Sequence, residues 1–530
     1  MSIGGYSALP LALAPRETYM TAAPTDTDAM KVAGKGAAAA SGHAASRPHW
    51  IDDWDPEDPK FWAEKGSKVA SRNLWFSIFS EHIGFSVWTM WSTLILFLGP
   101  KYGFNPNAPG HTAASVAADK FLLVSVPAAV GSVLRLPYTF AVAKFGGRNW
   151  TIVSAGLLLV PTVMLALMLH PGHPAAAGSK VFVGYTSFHT LIFLGALAGV
   201  GGGNFASSMA NINNFYPARL KGWALGLNAA GGNLGVATIQ LIGLWVLATK
   251  GVDHPKMVVG VYIPLIVVAS LGAVFFMDNI TGATNEKGAM REVCKDPHTW
   301  IMSFLYIGTF GSFIGFSFAF GQLLTVQFPT HFPKIDPVTH KAVTDAVTHK
   351  GLVDAVKVAH WTYLGPLIGS LARPIGGFLA DRLGGAKVTF VNFVAMAGFS
   401  VLALTASHQH SFGLAVVAFS GLFLTSGLGN GSTYKMIPSI FRNKAAMAVS
   451  EGTDGATAAK DARRRSVALI GIAGAIGAGG GVLVNIAFRQ SFLHTKSGND
   501  AYVSFVAFYA ACVLVTWLVY LRPGRKMETV

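Results

Sequence analysis

The sequence predicts an all-α polytopic membrane protein with twelve transmembrane helices in two six-helix, pseudo-symmetric halves. Three observations carry this reading. Of 530 residues, 52% are hydrophobic and only 12% charged, about half the charge of a soluble domain, and the mean hydropathy is positive. Apolar runs long enough to cross a bilayer recur along most of the chain. Unusual segments also appear twice, once per half. GSVLR at Gly131–Arg135 and GSLAR at Gly369–Arg373 each place an arginine eleven residues before a Gly-Gly pair.

Residues 1–72 are rich in Ala, Gly and Pro and read as a largely disordered tail. Near 54–72, Trp54, Phe61 and Trp62, with Trp75 just beyond, predict an aromatic segment at the membrane interface. The N-terminal half covers 73–277, with spans at 74–99, 118–143, 150–170, 187–215, 222–248 and 256–277. A linker at 278–298 joins it to the C-terminal half, 299–521. Spans there are expected at 299–329, 357–380, 387–407, 412–440, 464–492 and 499–521. A long outer loop at 330–356 contains the echo VTHKAVTDAVTHK, and 522–530 form a short tail. An even number of spans puts both termini on one side. Lys and Arg are concentrated in the loops of that side, so both termini are expected in the cytoplasm and the protein in the cytoplasmic (inner) membrane.

The net charge of +15 is scattered through short loops, a topology signal and not a nucleic-acid footprint. Two cysteines supply neither a disulfide framework nor a metal site, and no cofactor is expected. The first residues lack the pattern of a signal peptide. HExxH, a nucleophile elbow and a Cys/His cluster are all missing, so an enzyme is not expected. Neither tail resembles a signalling domain, which weighs against a sensor.

Arg135 and Arg373 dominate the functional reading. Each lies deep in an apolar segment, where insertion scales set the cost of a charge at about 2.5–3.5 kcal/mol. After Glu81 the spans hold almost no Asp or Glu to pair with them. Two such cations at equivalent places predict one jointly built site for an anion, near the midplane between the halves. A guanidinium fork meets two oxygens of a planar oxyanion at once. The residues alone leave open which small anion this is. An organic carboxylate or phosphate is the alternative reading, although phosphate calls for more cations than the core offers.

The duplication continues in glycine-rich stretches. GVGGGNFASSMANINNFYP (Gly199–Pro217) matches SGLGNGSTYKMIPSIF (Ser426–Phe441), and GLNAAGGNLG (Gly226–Gly235) matches GIAGAIGAGGG (Gly471–Gly481). Gly201, Gly202, Gly203, Gly429 and Gly431 are expected to let helices approach and slide. Among them Asn204, Ser207, Asn430, Ser432 and Thr433 are polar, and the two asparagines read as hydrogen bonds between helices. Tyr306 and Phe310 lie one turn apart on one helix face. Glu81, His82 and His360 are the titratable candidates for proton coupling. Glu81 and His82, seven or eight residues into the first span, are expected near the cytoplasmic interface and hydrated.

GFLADRLGGAK (Gly377–Lys387), with Asp381 and Arg382, resembles the loop motif of the major facilitator superfamily, departing from it at Gly385. GGGNFASSMANI (Gly201–Ile212) and GLGNGSTYKMIP (Gly427–Pro438) resemble the paired signatures of its nitrate/nitrite porter family. Trp54–Trp75 and Tyr306–Phe320 resemble the same family. The resemblance implies a secondary active transporter, working as a monomer in the lipid bilayer. It would move nitrate, nitrite or both by alternating access, as nitrate/nitrite exchange or as symport with protons. It also implies that Arg135 and Arg373 hold the substrate and that Phe205, Asn233, Tyr306 and Phe310 wall the site. Two cations without a counter-carboxylate would make an empty carrier costly to close, which favours exchange.

Overall fold

The computed structural model describes residues 48–523, except 178, 180, 282–287, 337 and 345–350. The expected disorder of residues 1–47, the later part of the loop echo and the tail beyond 523 therefore lie outside the described residues. From His49 onward the chain forms one compact unit.

Among the described residues, twelve long helices build it. In the first half they are α1 (Ser67–Leu94), α2 (Ala113–Phe145), α3 (Gly147–Met168), α4 (Phe188–Phe215), α5 (Ala218–Lys250) and α6 (Pro255–Phe276). In the second they are α7 (Pro297–Gln327), α8 (Leu364–Leu383, entered through a short helix Ala355–Thr362), α9 (Gly385–His408), α10 (Phe412–Ser450), α11 (Gly455–Thr495) and α12 (Asn499–Leu521). Ten of these are long and apolar enough to cross a membrane by composition alone. The other two, α1 and α8, carry Glu81 and Arg373.

The internal repeat is visible in the backbone. Gly146 and Gly384, at φ 87° and 93°, end α2 and α8 in a region that favours glycine and turn the chain into α3 and α9. Equivalent glycines also let helices touch. A Cβ on Gly202 of α4 would lie 2.7 Å from the Cα of Gly131 on α2. One on Gly427 of α10 would lie 2.2 Å from the carbonyl oxygen of Gly369 on α8. Gly201 and Gly431 are equally tight, against the carbonyl oxygens of Gly84 and Arg373. Polar groups in the second signature lock neighbouring helices: Ser432 bonds Thr389 at 2.8 Å and Thr433 bonds Thr309 at 3.1 Å.

In the loop motif Asp381 pairs with Lys435 of α10 at 2.8 Å, and Arg382 lies over the Phe378 ring at 4.2 Å. At Gly385, where the chain departs from the motif, a Cβ would lie 2.7 Å from Met436 Cγ, so a larger side chain would have to displace that methionine side chain of α10.

The segment before α1 differs from expectation. A turn of helix capped by Asp58 leads through a π-turn at Trp62–Gly66 directly into α1, which starts at Ser67, well ahead of residue 74. Its aromatics pack on one another and on the end of α4. Trp54 meets Phe61 and Phe215 edge-on at 5.2 and 5.3 Å, and Trp62 packs on Tyr216 at 5.6 Å, so they cover the end of α4. Trp75, on α1, is the one left exposed among these indoles. A short strand, β1 (Trp50–Ile51), pairs in parallel with β2 (Asn279–Ile280) at the start of the linker. Beside it Asp278 accepts from Arg72 at 2.6 Å and Asn73 at 3.0 Å. These bonds staple the chain's entry to the junction between the halves.

Gly427→Ala forces a carbonyl and a methyl into one place, so we expect destabilisation of about 1–3 kcal/mol, read as a lower melting temperature of the purified protein. Gly398→Ala, on α9 with nothing within 4 Å of the added Cβ, serves as the control and leaves the melting temperature unchanged or slightly higher.

Candidate functional site

The repeat brings both arginines to the interior between the halves. Arg135 is fully buried on α2 and Arg373 is 5% exposed on α8. Arg135 Nε donates to the Gly202 carbonyl of α4 at 3.2 Å, and Nη1 donates to the Gly474 carbonyl of α11 at 3.1 Å. This guanidinium thus touches both halves. Arg373 Nη2 donates to the Tyr306 hydroxyl of α7 at 3.5 Å. One terminal nitrogen on each, Arg135 Nη2 and Arg373 Nη1, is buried without a protein acceptor. A charged donor left so in an apolar interior is costly unless a ligand or water satisfies it.

Aromatic faces fill the space around the two cations. The Arg135 guanidinium lies 4.6 Å from the Phe205 ring centroid and 4.7 Å from that of Phe310, with Trp88 at 5.4 Å. Arg373 lies 5.5 Å from Phe205 and 5.6 Å from Tyr434. Tyr306, Phe310 and Phe205 form a continuous stack, at 5.4 and 6.0 Å between successive centroids. Cation–π attraction offsets part of the cost of burying the charges without neutralising them. Gly477 of α11 supports the stack from behind, since a Cβ there would lie 2.4 Å from Tyr306 Cδ1.

Access is one-sided. At the tail end a cavity of about 540 Å³ opens between the halves, lined by Lys221, Lys460, Arg463 and Arg464 and by one acid, Glu57. Thr139, Ala210, Asn213 and Val467 line it and also line a narrower upper part that reaches Arg135, Phe205 and Tyr434. The far side is shut: Phe121 of α2 stacks on Phe488 and Phe492 of α11, each at 5.5 Å, and Gln240 of α5 donates to the Ser317 carbonyl of α7 at 3.0 Å.

Several expectations need correction. Asn204 and Asn430 make no hydrogen bond between helices; both amides are buried with neither atom paired. Asn204 packs instead against Gly84, whose missing Cβ leaves room for it. Ser207 bonds back to the Asn204 carbonyl within its own helix at 3.1 Å. Asn233 is likewise buried on α5 with both amide atoms unpaired, and neither arginine bonds to it. Glu81 is not at a hydrated interface but fully buried, fourteen residues after Ser67 and thirteen before Leu94. The early start of α1 is the reason. His82 bonds the Gly231 carbonyl at 3.0 Å, while His360 is exposed on the short helix leading into α8, its ring held by Val356 of that helix.

Tyr434 and the carbonyls of Gly202 and Gly474 were not anticipated. Tyr434 directly follows Thr433 in the second signature, so proximity to that motif was the available signal. Among the described residues no cluster of His, Cys, Asp and Glu could hold a metal ion.

Comparisons with known proteins bear on the family and the fold. A family model described as the Major Facilitator Superfamily matches residues 74–482. The nitrate/nitrite transporter NarU of Salmonella typhimurium is 37% identical over 90% of this chain and 97% of its own. The probable nitrate/nitrite antiporter NarK2 of Thermus thermophilus is 30% identical over 90% of this chain and 98% of its own. In fold the chain is similar to the xylose transporter XylE of E. coli in a partially occluded, inward-open conformation. The TM-score is 0.58 at 11% identity, covering 85% of this chain and 98% of that one.

Removing the Tyr306 hydroxyl tests the geometry. Tyr306→Phe keeps the ring stack but takes away the partner of Arg373, and we expect small-anion affinity to fall by about 3- to 10-fold, the worth of one hydrogen bond, in calorimetric titration.

Proposed function

The chain belongs to the major facilitator superfamily and, within it, to the nitrate/nitrite transporters, and on that premise we propose that nitrate and nitrite are held between Arg135 and Arg373 and carried by alternating access. Its relatives are transporters and not enzymes. The supporting observation is the pair of buried guanidiniums, each with one unsatisfied donor, facing a stacked aromatic wall. Nitrate is planar, singly charged and weakly hydrated. It therefore loses little on leaving water, offers its oxygens to two forks at once, and presents a flat face to Phe205 and Phe310.

In this reading the tail side is the cytoplasm and the observed state is open to it. The protein sits as a monomer in the cytoplasmic membrane with both termini inside, and the excess of basic over acidic residues lining the cavity raises the local anion concentration. Closing the cytoplasmic side means bringing α4 and α5 toward α10 and α11. Opening the far side means separating Phe121 from Phe488 and Phe492. The glycine contacts lie within each half, where they let α4 approach α2 and α10 approach α8 closely, so each half can move as a unit.

Nitrate counterflow in proteoliposomes loaded with nitrate or nitrite checks this. Arg135→Lys and Arg373→Lys keep the charge and lose the fork, so each is expected to slow counterflow by about 10- to 100-fold, the worth of a charge-assisted hydrogen bond. Near-normal rates in both variants would sink the two-fork site, and wild-type protein that exchanges neither anion would sink the transport reading.

A further inference from the structure

Glu81 is a buried acid that the anion site does not use. It lies at the middle of α1 and is fully buried. Oε2 accepts from Asn228 Nδ2 of α5 at 2.8 Å, while Oε1 has no partner. The carboxyl rests on Gly232, where a Cβ would lie 2.1 Å from Oε1, so this glycine makes room for it. No basic side chain forms an ion pair with it among the described residues. The other groups facing it are Ser208 of α4 and the backbone of α5. Arg135 on α2 and Arg373 on α8 act on it through their fields, and His82 adjoins it on α1 with its ring turned to the Gly231 carbonyl.

A polar row leads to Glu81 from the tail side. Asn73, Ser77 and Glu81 stand four residues apart on one face of α1, each at most 1% exposed. Asn73 is bonded to Asp278 at the tail end, Ser77 to Ser208 at 2.8 Å, and Asn228 joins Ser208, at 2.6 Å, to Glu81. Buried polar groups in a membrane interior are kept at a cost, and this row, ending on a carboxyl with one oxygen unbonded, marks a route to it.

We propose that Glu81 is the proton-carrying group of this transporter and the internal anion that replaces nitrate when the carrier returns empty. The inference rests on the nitrate reading above. Two guanidiniums with nitrate bound and Glu81 protonated carry one net positive charge. The same two guanidiniums with nitrate gone and Glu81 ionised also carry one. The loaded and the empty carrier therefore present the same charge to the membrane interior, and both can turn round. Releasing nitrate without the proton would leave two uncompensated cations, which opposes closure. Each nitrate thus enters with one proton, taken up by the carboxylate on the far side and released to the cytoplasm.

The test uses the full-length protein in proteoliposomes with no internal nitrate or nitrite, an inward proton gradient and an internal pH dye. Wild-type protein should acidify the lumen when nitrate is added outside. E81Q, fixed in the neutral form, should lose this nitrate-driven acidification at least tenfold while keeping nitrate/nitrite counterflow within a few-fold, because only its empty carrier is trapped. E81D, which keeps a carboxyl, should restore acidification. Unchanged acidification in E81Q, or none in wild-type protein that performs counterflow, would overturn the role of Glu81 and leave the transport reading standing. Absence of wild-type counterflow would strike the transport reading itself.

Discussion

Keeping two guanidinium ions in an apolar interior is the constraint on which the rest of this structure depends. Neither Arg135 nor Arg373 has an acidic side chain as a direct partner among the described residues. Their hydrogen bonds go to carbonyls and a hydroxyl, and their faces to aromatic rings. Such partners hold a cation in place without cancelling its charge, as an anion-selective site requires. The aromatic stack follows from this, as does Gly477, which gives Tyr306 its room. A carboxylate within direct reach of either arginine would have stabilised the fold and competed with the substrate.

The second organising feature is the repeat. It places the arginines symmetrically, repeats the positive φ at Gly146 and Gly384, and sets glycine against glycine where α4 meets α2 and α10 meets α8. The two halves differ where chemistry demands it. The first contributes Glu81, Phe205 and the Asn228–Ser208 pair; the second contributes Tyr306, Phe310 and Tyr434. Symmetry builds the carrier, and departures from symmetry give it a substrate and a direction.

Much of this was legible in the sequence, for physical reasons. Buried arginines stand out because charge is rare in apolar segments, and their equivalence follows from register alone. Twelve spans follow from hydropathy, although α1 and α8 are diluted by the very charges that matter. Glu81 was misplaced because hydropathy locates where a helix becomes apolar, not where it begins. The polar first turns of α1 are continuous with the span, and they move Glu81 from its edge to its centre. The expectation for Asn204 fails because an amide in a glycine-rich helix can be placed by a neighbour's missing side chain, here that of Gly84, as readily as by a partner. The backbone carbonyls of Gly202 and Gly474 leave no trace in residue identity, so no reading of side chains could have found them.

The bond from Arg135 to Gly474 has a kinetic consequence. One hand of this guanidinium grips its own half and another grips the opposite half, while the third nitrogen is free. The group that recognises the substrate is therefore also a tie across the surface along which the halves must move. Whatever lengthens that tie's lifetime slows reorientation, and whatever draws the guanidinium toward the anion loosens it. Recognition and reorientation are in this way coupled in a single side chain: the anion that draws the guanidinium also frees the halves to move.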